Sequence, residues 1–144
     1  MPYSELLIKP MREDLTRYGV EETRAPEDVD RLLRENDTVL MVVNSVCGCA
    51  AGKARPGVGF ALRHATRPDK VATVFAGADE AAVAHVRSLL ADYPPSSPSI
   101  ALFKSGKPVH MIHRSQIEPS DPWQIAKMLT DVFDRYCAKD TATA

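Results

Sequence analysis

The segment TVLMVVNSV, residues 38–46, constrains this chain more than any other stretch. It is a continuous β-branched and aliphatic run without polar alternation. A strand with one solvated face would show a polar residue at every second position, so this one reads as buried on both faces. Such a strand requires a sheet covered by helices on each side. The run leads directly into Cys47 and Cys49, one glycine apart, and then into AAGKARPG.

The surrounding pattern supports the same layered plan. Residues 4–18 read as a helix with Leu6, Leu7, Met11 and Leu15 near one face; Pro10 predicts a kink or two short pieces, and Gly19 a stop. In PEDVDRLLREND, Pro26 suits a first helical turn, and Val29, Leu32 and Leu33 form an apolar stripe. AAGKARPGVGFALRHA continues as a helix kinked at Pro56. KVATVFAG, residues 70–77, is a second strand, followed by a helix that Asp79 is placed to cap. SIALFK and PVHMIHR are strands joined by a turn at Ser105-Gly106. Asp121 caps and Pro122 opens a last helix with Ile125, Leu129, Val132, Phe133 and Tyr136 along one side. The strand-helix-strand unit needs a parallel, right-handed crossover, and the hairpin adds an antiparallel edge. The expected fold is α/β, with a mixed sheet between helical layers and an extra N-terminal helical segment.

With 144 residues the chain suits one domain, 1–144, with 139–144 as a frayed tail. A formal net charge of -1 supplies no field that would draw it to nucleic acid or an anionic membrane, and no apolar run reaches spanning length. The opening MPYSELLIKPMRED lacks the basic-then-apolar order of a secretory signal, so a cytoplasmic location is expected. Three cysteines are too few for a disulfide-framed scaffold, and a close pair in a cytosolic protein points to redox or metal work.

Reactive groups in open α/β sheets collect at the carboxyl ends of strands, and Cys47 lies at such an end, where a helix begins. The partial positive charge and unpaired N–H groups of a helix start favour thiolate over thiol, which should lower the Cys47 pKa. Lys53 and Arg55 add positive charge if they turn toward the site. Cys49 is placed to resolve a disulfide formed on Cys47, and Gly48 lets an incoming disulfide approach the backbone. A Cys-x-Cys bridge closes almost no loop, which argues against a structural staple. A metal clip would need further ligands. His110 and His113 fall on opposite faces of a strand and cannot chelate together, although Cys137 remains available. In SSPSIALF, Pro98 precedes a strand among turn formers. An ordinary trans bond is the default for any single X–Pro, but a strand-helix-strand carrying cysteines, then a proline leading into a hairpin and a helix, turns the reading toward a cis Ser97–Pro98 bond.

Together VNSVCGCAAGKARPGV, TVFAGADE, PSSPSIALFK and the opening LIKPMREDLTRYGVEE resemble the bacilliredoxin family, across nearly the whole chain. The resemblance implies a thioredoxin-like three-layer α/β/α sandwich in which a cis-proline faces the active-site cysteines. Cys-Gly-Cys departs from the Cys-x-x-Cys usual in thioredoxins. It further implies a thiol–disulfide oxidoreductase with no bound cofactor and with bacillithiol as co-substrate. Cys47 would attack bacillithiol-capped client proteins. The adduct would be released by Cys49 or by a second low-molecular-weight thiol. Gly48, Ser97, Pro98, Lys53 and Arg55 are the candidate substrate contacts.

Alternatives stay open at this stage. The protein could be a general disulfide reductase or isomerase, a redox sensor, or a metal-binding module using Cys47 and Cys49. Lys53 and Arg55 read equally well as solvated helix charges. Cys137 is a possible third redox thiol but reads better as packing. Asn44 and Ser45 flank the site and could bond the thiolate or satisfy the strand end. Trp123 is expected to be partly buried, and His64 to lie at the surface.

Overall fold

The computed structural model describes residues 3–138; the tail expected at 139–144 lies outside them. The strands are β1 (Glu21–Glu22), β2 (Thr38–Asn44), β3 (Lys70–Phe75), β4 (Ser99–Lys104) and β5 (Lys107–Ile112). The helices are α1 (Glu5–Thr16), α2 (Pro26–Glu35), α3 (Arg55–Ala61), α4 (Glu80–Leu89), α5 (Arg114–Ile117) and α6 (Pro122–Tyr136). A π-helical turn, Ala50–Ala54, precedes α3. The sheet order is β1-β3-β2-β4-β5. β2 pairs in parallel with β3 and antiparallel with β4, giving the expected mixed sheet.

Every residue of β2 is buried. Side chains alternate across a strand, so Leu40 and Val42 join the core beneath α3 and α6, while Val39, Met41 and Val43 join the core beneath α2 and α4. One apolar run thus builds both cores, and its end at Asn44 sets where the cysteines emerge. α6 contributes Ile125, Leu129, Val132 and Phe133 to the first core and starts as the sequence predicts. The Asp121 carboxylate accepts from the Gln124 N–H, and the Gln124 side chain accepts from the Asp121 N–H, both at 2.8 Å. Ser105 and Gly106 both take positive φ, 52° and 79°, the mirror-image turn that suits a two-residue hairpin.

Several expectations need correction. α1 runs through Pro10 as one helix and buries Ile8, Arg12 and Leu15. Leu6 and Leu7, expected on the packed face, are 87% and 53% exposed. Leu15 of that stripe is buried and Met11 half-buried, but the buried face is centred nearer Ile8 and Arg12, which leaves Leu6 and Leu7 outside it. Arg12 donates to both carboxylate oxygens of Asp79, at 2.9 and 2.7 Å, and to both of Glu5. Asp79 makes no side-chain cap to α4, because its carboxylate is taken by Arg12 and by the Phe75 N–H. β5 ends at Ile112, so His113 is not on the strand; it caps α5, a short helix the sequence did not announce. β1 was also missed, since two glutamates carry no strand signal. Trp123 is 65% exposed and stacks on Phe60, with ring centroids 4.1 Å apart. His64 lies at the surface as expected, bonded to Asp134 at 2.8 Å.

Candidate active site

β2 ends at Asn44, and the chain turns sharply over the next residues. Asn44 holds this turn at both ends of its amide. Its Nδ2 donates to the Met11 carbonyl at 3.1 Å, and its Oδ1 accepts from the Ser45 N–H at 2.9 Å. The strand end is thereby tied to α1. The Ala50 and Ala51 N–H groups both donate to the Cys47 carbonyl at 3.1 Å, so the helix begins at Cys47. The Cys49 N–H, at the helix start, has no helical carbonyl before it, and both it and the Ala50 N–H act on the sulfur.

Cys47 and Cys49 are half-buried thiols. Burial pushes the Cys47 pKa up, as it does for any group ionising to an anion. Three influences outweigh it and leave the pKa below its ordinary value: the Ser45 hydroxyl, which donates to Sγ at 3.3 Å; the N–H groups of Ala50 and Cys49; and the charge of Arg114. The direction is the one the helix start predicts. Of the two side chains responsible, Ser45 was already a candidate thiolate partner, whereas Arg114 was overlooked.

Arg114 opens α5 and bonds the proline loop. Its backbone N–H donates to the Ser96 hydroxyl at 3.2 Å, and its Nη1 donates to the Ser97 carbonyl at 3.1 Å. Ser97 precedes Pro98 through a cis peptide bond. Arg114 also pairs with Glu118, and its charge acts on both Cys47 and Cys49. Nothing local marks this arginine in the sequence, because its role depends on the hairpin returning the chain to the carboxyl end of β2.

The other candidates fall in different places. Arg55 is 3% exposed and does not reach solvent. Its Nη1 pairs with Asp14 at 2.7 Å, and its Nη2 donates to the Ser45 carbonyl at 3.4 Å. It is therefore neither a solvated helix charge nor a surface contact. The reason is the π-turn. Pro56 has no N–H to give, and its ring crowds the carbonyl four residues back; here the Arg55 N–H reaches five residues back to Ala50. Lys53 donates to the Glu118 carbonyl. Gly48 is exposed, its φ is not positive, and a Cβ placed on it meets nothing within 4 Å. The chain's own packing thus makes no demand for glycine there. Cys137 is 5% exposed, in the core beneath α3 and α6. His110 and His113 do not join the cysteines, and among the described residues no group of three or more His, Cys, Asp or Glu side chains is arranged to hold a metal ion.

A thiol biased toward thiolate, a second thiol two residues on, and a cis-proline loop held at the same end of the sheet can together carry thiol–disulfide exchange. Comparison with known proteins agrees. Residues 3–137 match the family described as Disulphide isomerase. A bacilliredoxin of Koribacter versatilis is 52% identical over 94% of this chain and 94% of its own length. A bacilliredoxin of Geobacillus kaustophilus is 45% identical, covering 91% of this chain and 90% of its own. Among solved structures, a mutant thioredoxin from Halobacterium salinarum superposes with a TM-score of 0.61 at 19% identity, over 88% of this chain and 94% of that one. That last likeness concerns the thioredoxin fold alone. Among the described residues no helix is long and apolar enough to cross a membrane.

Proposed function

This chain belongs to the bacilliredoxin family and is a thiol–disulfide oxidoreductase, and on that premise we propose that it frees client proteins whose thiols are capped by bacillithiol. The Cys47 thiolate attacks the bacillithiol sulfur of the mixed disulfide. A Cys47–bacillithiol disulfide forms, and the client departs as a thiolate. Cys49, as thiolate, then attacks the Cys47 sulfur; bacillithiol leaves and a Cys47–Cys49 disulfide remains. Two external thiols, or one dithiol, then reduce this bridge by exchange, leaving as their own disulfide and restoring the Cys47–Cys49 dithiol. A second bacillithiol attacking the bacillithiol sulfur of the adduct is the other exit, releasing oxidised bacillithiol and the Cys47 thiolate.

The observation that carries this reading is the Ser45 hydroxyl donating to Cys47 Sγ at 3.3 Å. It supports Cys47 as attacker, because stabilising the thiolate is what an attacking thiol requires at neutral pH. Gly48, Ser97 and Pro98 are the proposed substrate contacts. Lys53 serves at the rim, with its ammonium already on the Glu118 carbonyl.

Intact mass after exposure to oxidised bacillithiol tests the assignment. Wild type and Cys49→Ser should gain one bacillithiol increment, persistent in Cys49→Ser and resolved in wild type. Cys47→Ser should gain none. An increment retained by Cys47→Ser and mapped to Cys137 would overturn the choice of attacker. Equal rates on bacillithiol-capped and glutathione-capped clients would favour a general reductase or isomerase instead.

A further inference from the structure

Arg55 is a buried cation that the exchange steps leave unused. It is 3% exposed, and its Nε is buried without a hydrogen-bond partner among the described residues. A charge removed from water and incompletely bonded is costly, and Asp14 at 2.7 Å, itself partly exposed, is the carboxylate beside it. The same guanidinium donates to the carbonyl of Ser45, the residue whose hydroxyl donates to Cys47. Arg55 therefore lies directly under the turn that carries the attacking thiol. Burial pushes its pKa below the ordinary value, while the Asp14 carboxylate and the Cys47 thiolate both pull the other way.

We propose that Arg55 is a positioning residue for the attacking thiol: a buried cation beneath the strand end that stabilises the Cys47 thiolate and fixes the Ser45 turn, with its charge partly neutralised by Asp14. The proposal rests on Cys47 being the attacker. A buried cation bonded to the Ser45 carbonyl is less screened than one at the rim. Ser45 and the Ala50 and Cys49 N–H groups bond the sulfur; Arg114, paired with Glu118, acts from α5; Arg55, paired with Asp14, acts from α3 and α1.

The two ends of the Arg55–Asp14 pair should move the thiol in opposite directions. The test is the pH profile of iodoacetamide alkylation of the reduced full chain, read at Cys47 by peptide mass. Arg55→Met should raise the midpoint by about one pH unit. Asp14→Asn, which leaves Arg55 less neutralised, should lower it. Arg55→Lys should recover most of the loss. A merely structural pair would shift both midpoints the same way or neither, and either result overturns the proposal. Should Arg55→Met fail to fold, Arg55→Lys and Asp14→Asn still decide it, since an unmoved or raised midpoint in Asp14→Asn contradicts the proposed balance. If Cys47 of wild type is not the thiol alkylated at low pH, the attacker assignment fails; if it is and the midpoints stay fixed, only the role of Arg55 fails.

Discussion

Ser45 is linked to Cys47 by a hydroxyl-to-sulfur hydrogen bond of 3.3 Å, made across the two-residue turn that ends β2. The link is short-range in sequence, and the Asn44 Oδ1 accepts from the N–H of the same serine at 2.9 Å. Ser45→Ala should remove one stabilising donor from the thiolate. Hydrogen bonds to charged groups contribute about 1.5–3 kcal/mol, and the half-buried sulfur places this one at the low end. The midpoint of Cys47 alkylation should rise by about one pH unit. A profile that superposes on wild type would show that the hydroxyl does not tune the thiol.

The lowered Cys47 pKa also ties stability to pH. Unfolded cysteines titrate near about 8.5, above the folded value, so between the two the unfolded chain carries more protons. Stability from this group therefore rises with pH, is present in full above the unfolded value, and is lost as pH falls through the folded one. The melting temperature of reduced wild type, minus that of Cys47→Ser, should be larger at about pH 9 than at about pH 6. A difference that shrinks with rising pH would contradict the thiolate assignment.

Two glycines of the active-site segment should respond in opposite ways. A Cβ on Gly57 would lie 2.6 Å from Ile125 Cγ2, at the α3–α6 contact. Gly57→Ala should cost about 1–3 kcal/mol in urea unfolding, as overpacking does. Gly48→Ala meets nothing within 4 Å and should leave stability within about 0.5 kcal/mol of wild type. If Gly48 matters only to an incoming disulfide, its alanine variant should slow exchange with bulky client disulfides more than with small ones. Equal slowing on both would remove Gly48 from the substrate contacts.

Asp79 is buried and receives two hydrogen bonds from the buried Arg12, which joins α1 to the turn after β3. Asp79→Ala strands most of that charge. Removing one partner of a buried pair typically costs about 3–5 kcal/mol, and Glu5 and Glu22 should soften this toward the lower figure. Urea unfolding measures it, and a loss under about 1 kcal/mol would show the pair to be dispensable.

The layered fold was legible because β2 is apolar on both faces, and the place of the thiols followed from where that strand ends. Charge placement was not. Arg12, Arg55 and Arg114 each look like ordinary surface residues by type, and each acquires its role from a carboxylate or carbonyl far along the chain: Asp79, Asp14 and Ser97. Periodicity reports apolar stripes, so a helix face centred nearer Ile8 and Arg12 is only partly located, as happened with Leu6 and Leu7. Ser45 and Asn44 were visible as neighbours of the cysteines, but only the fold distinguishes the residue that bonds the sulfur from the one that anchors the turn.

The π-turn gives the active-site helix two phases. An α-helix advances about 100° per residue, so one extra residue in a turn rotates everything after it by that angle relative to what came before. Before the splice, the phase presents Gly48 outward and leaves the thiols within reach. After it, the phase turns Arg55, Gly57, Val58 and Ala61 inward. A chain shortened by one residue within Ala50–Ala54 would force Pro56 against a carbonyl four residues back, and it would swing Arg55 away from Asp14 and Gly57 away from Ile125. The irregular turn is thus the joint that lets a cysteine-bearing front and a packed back share one helix axis.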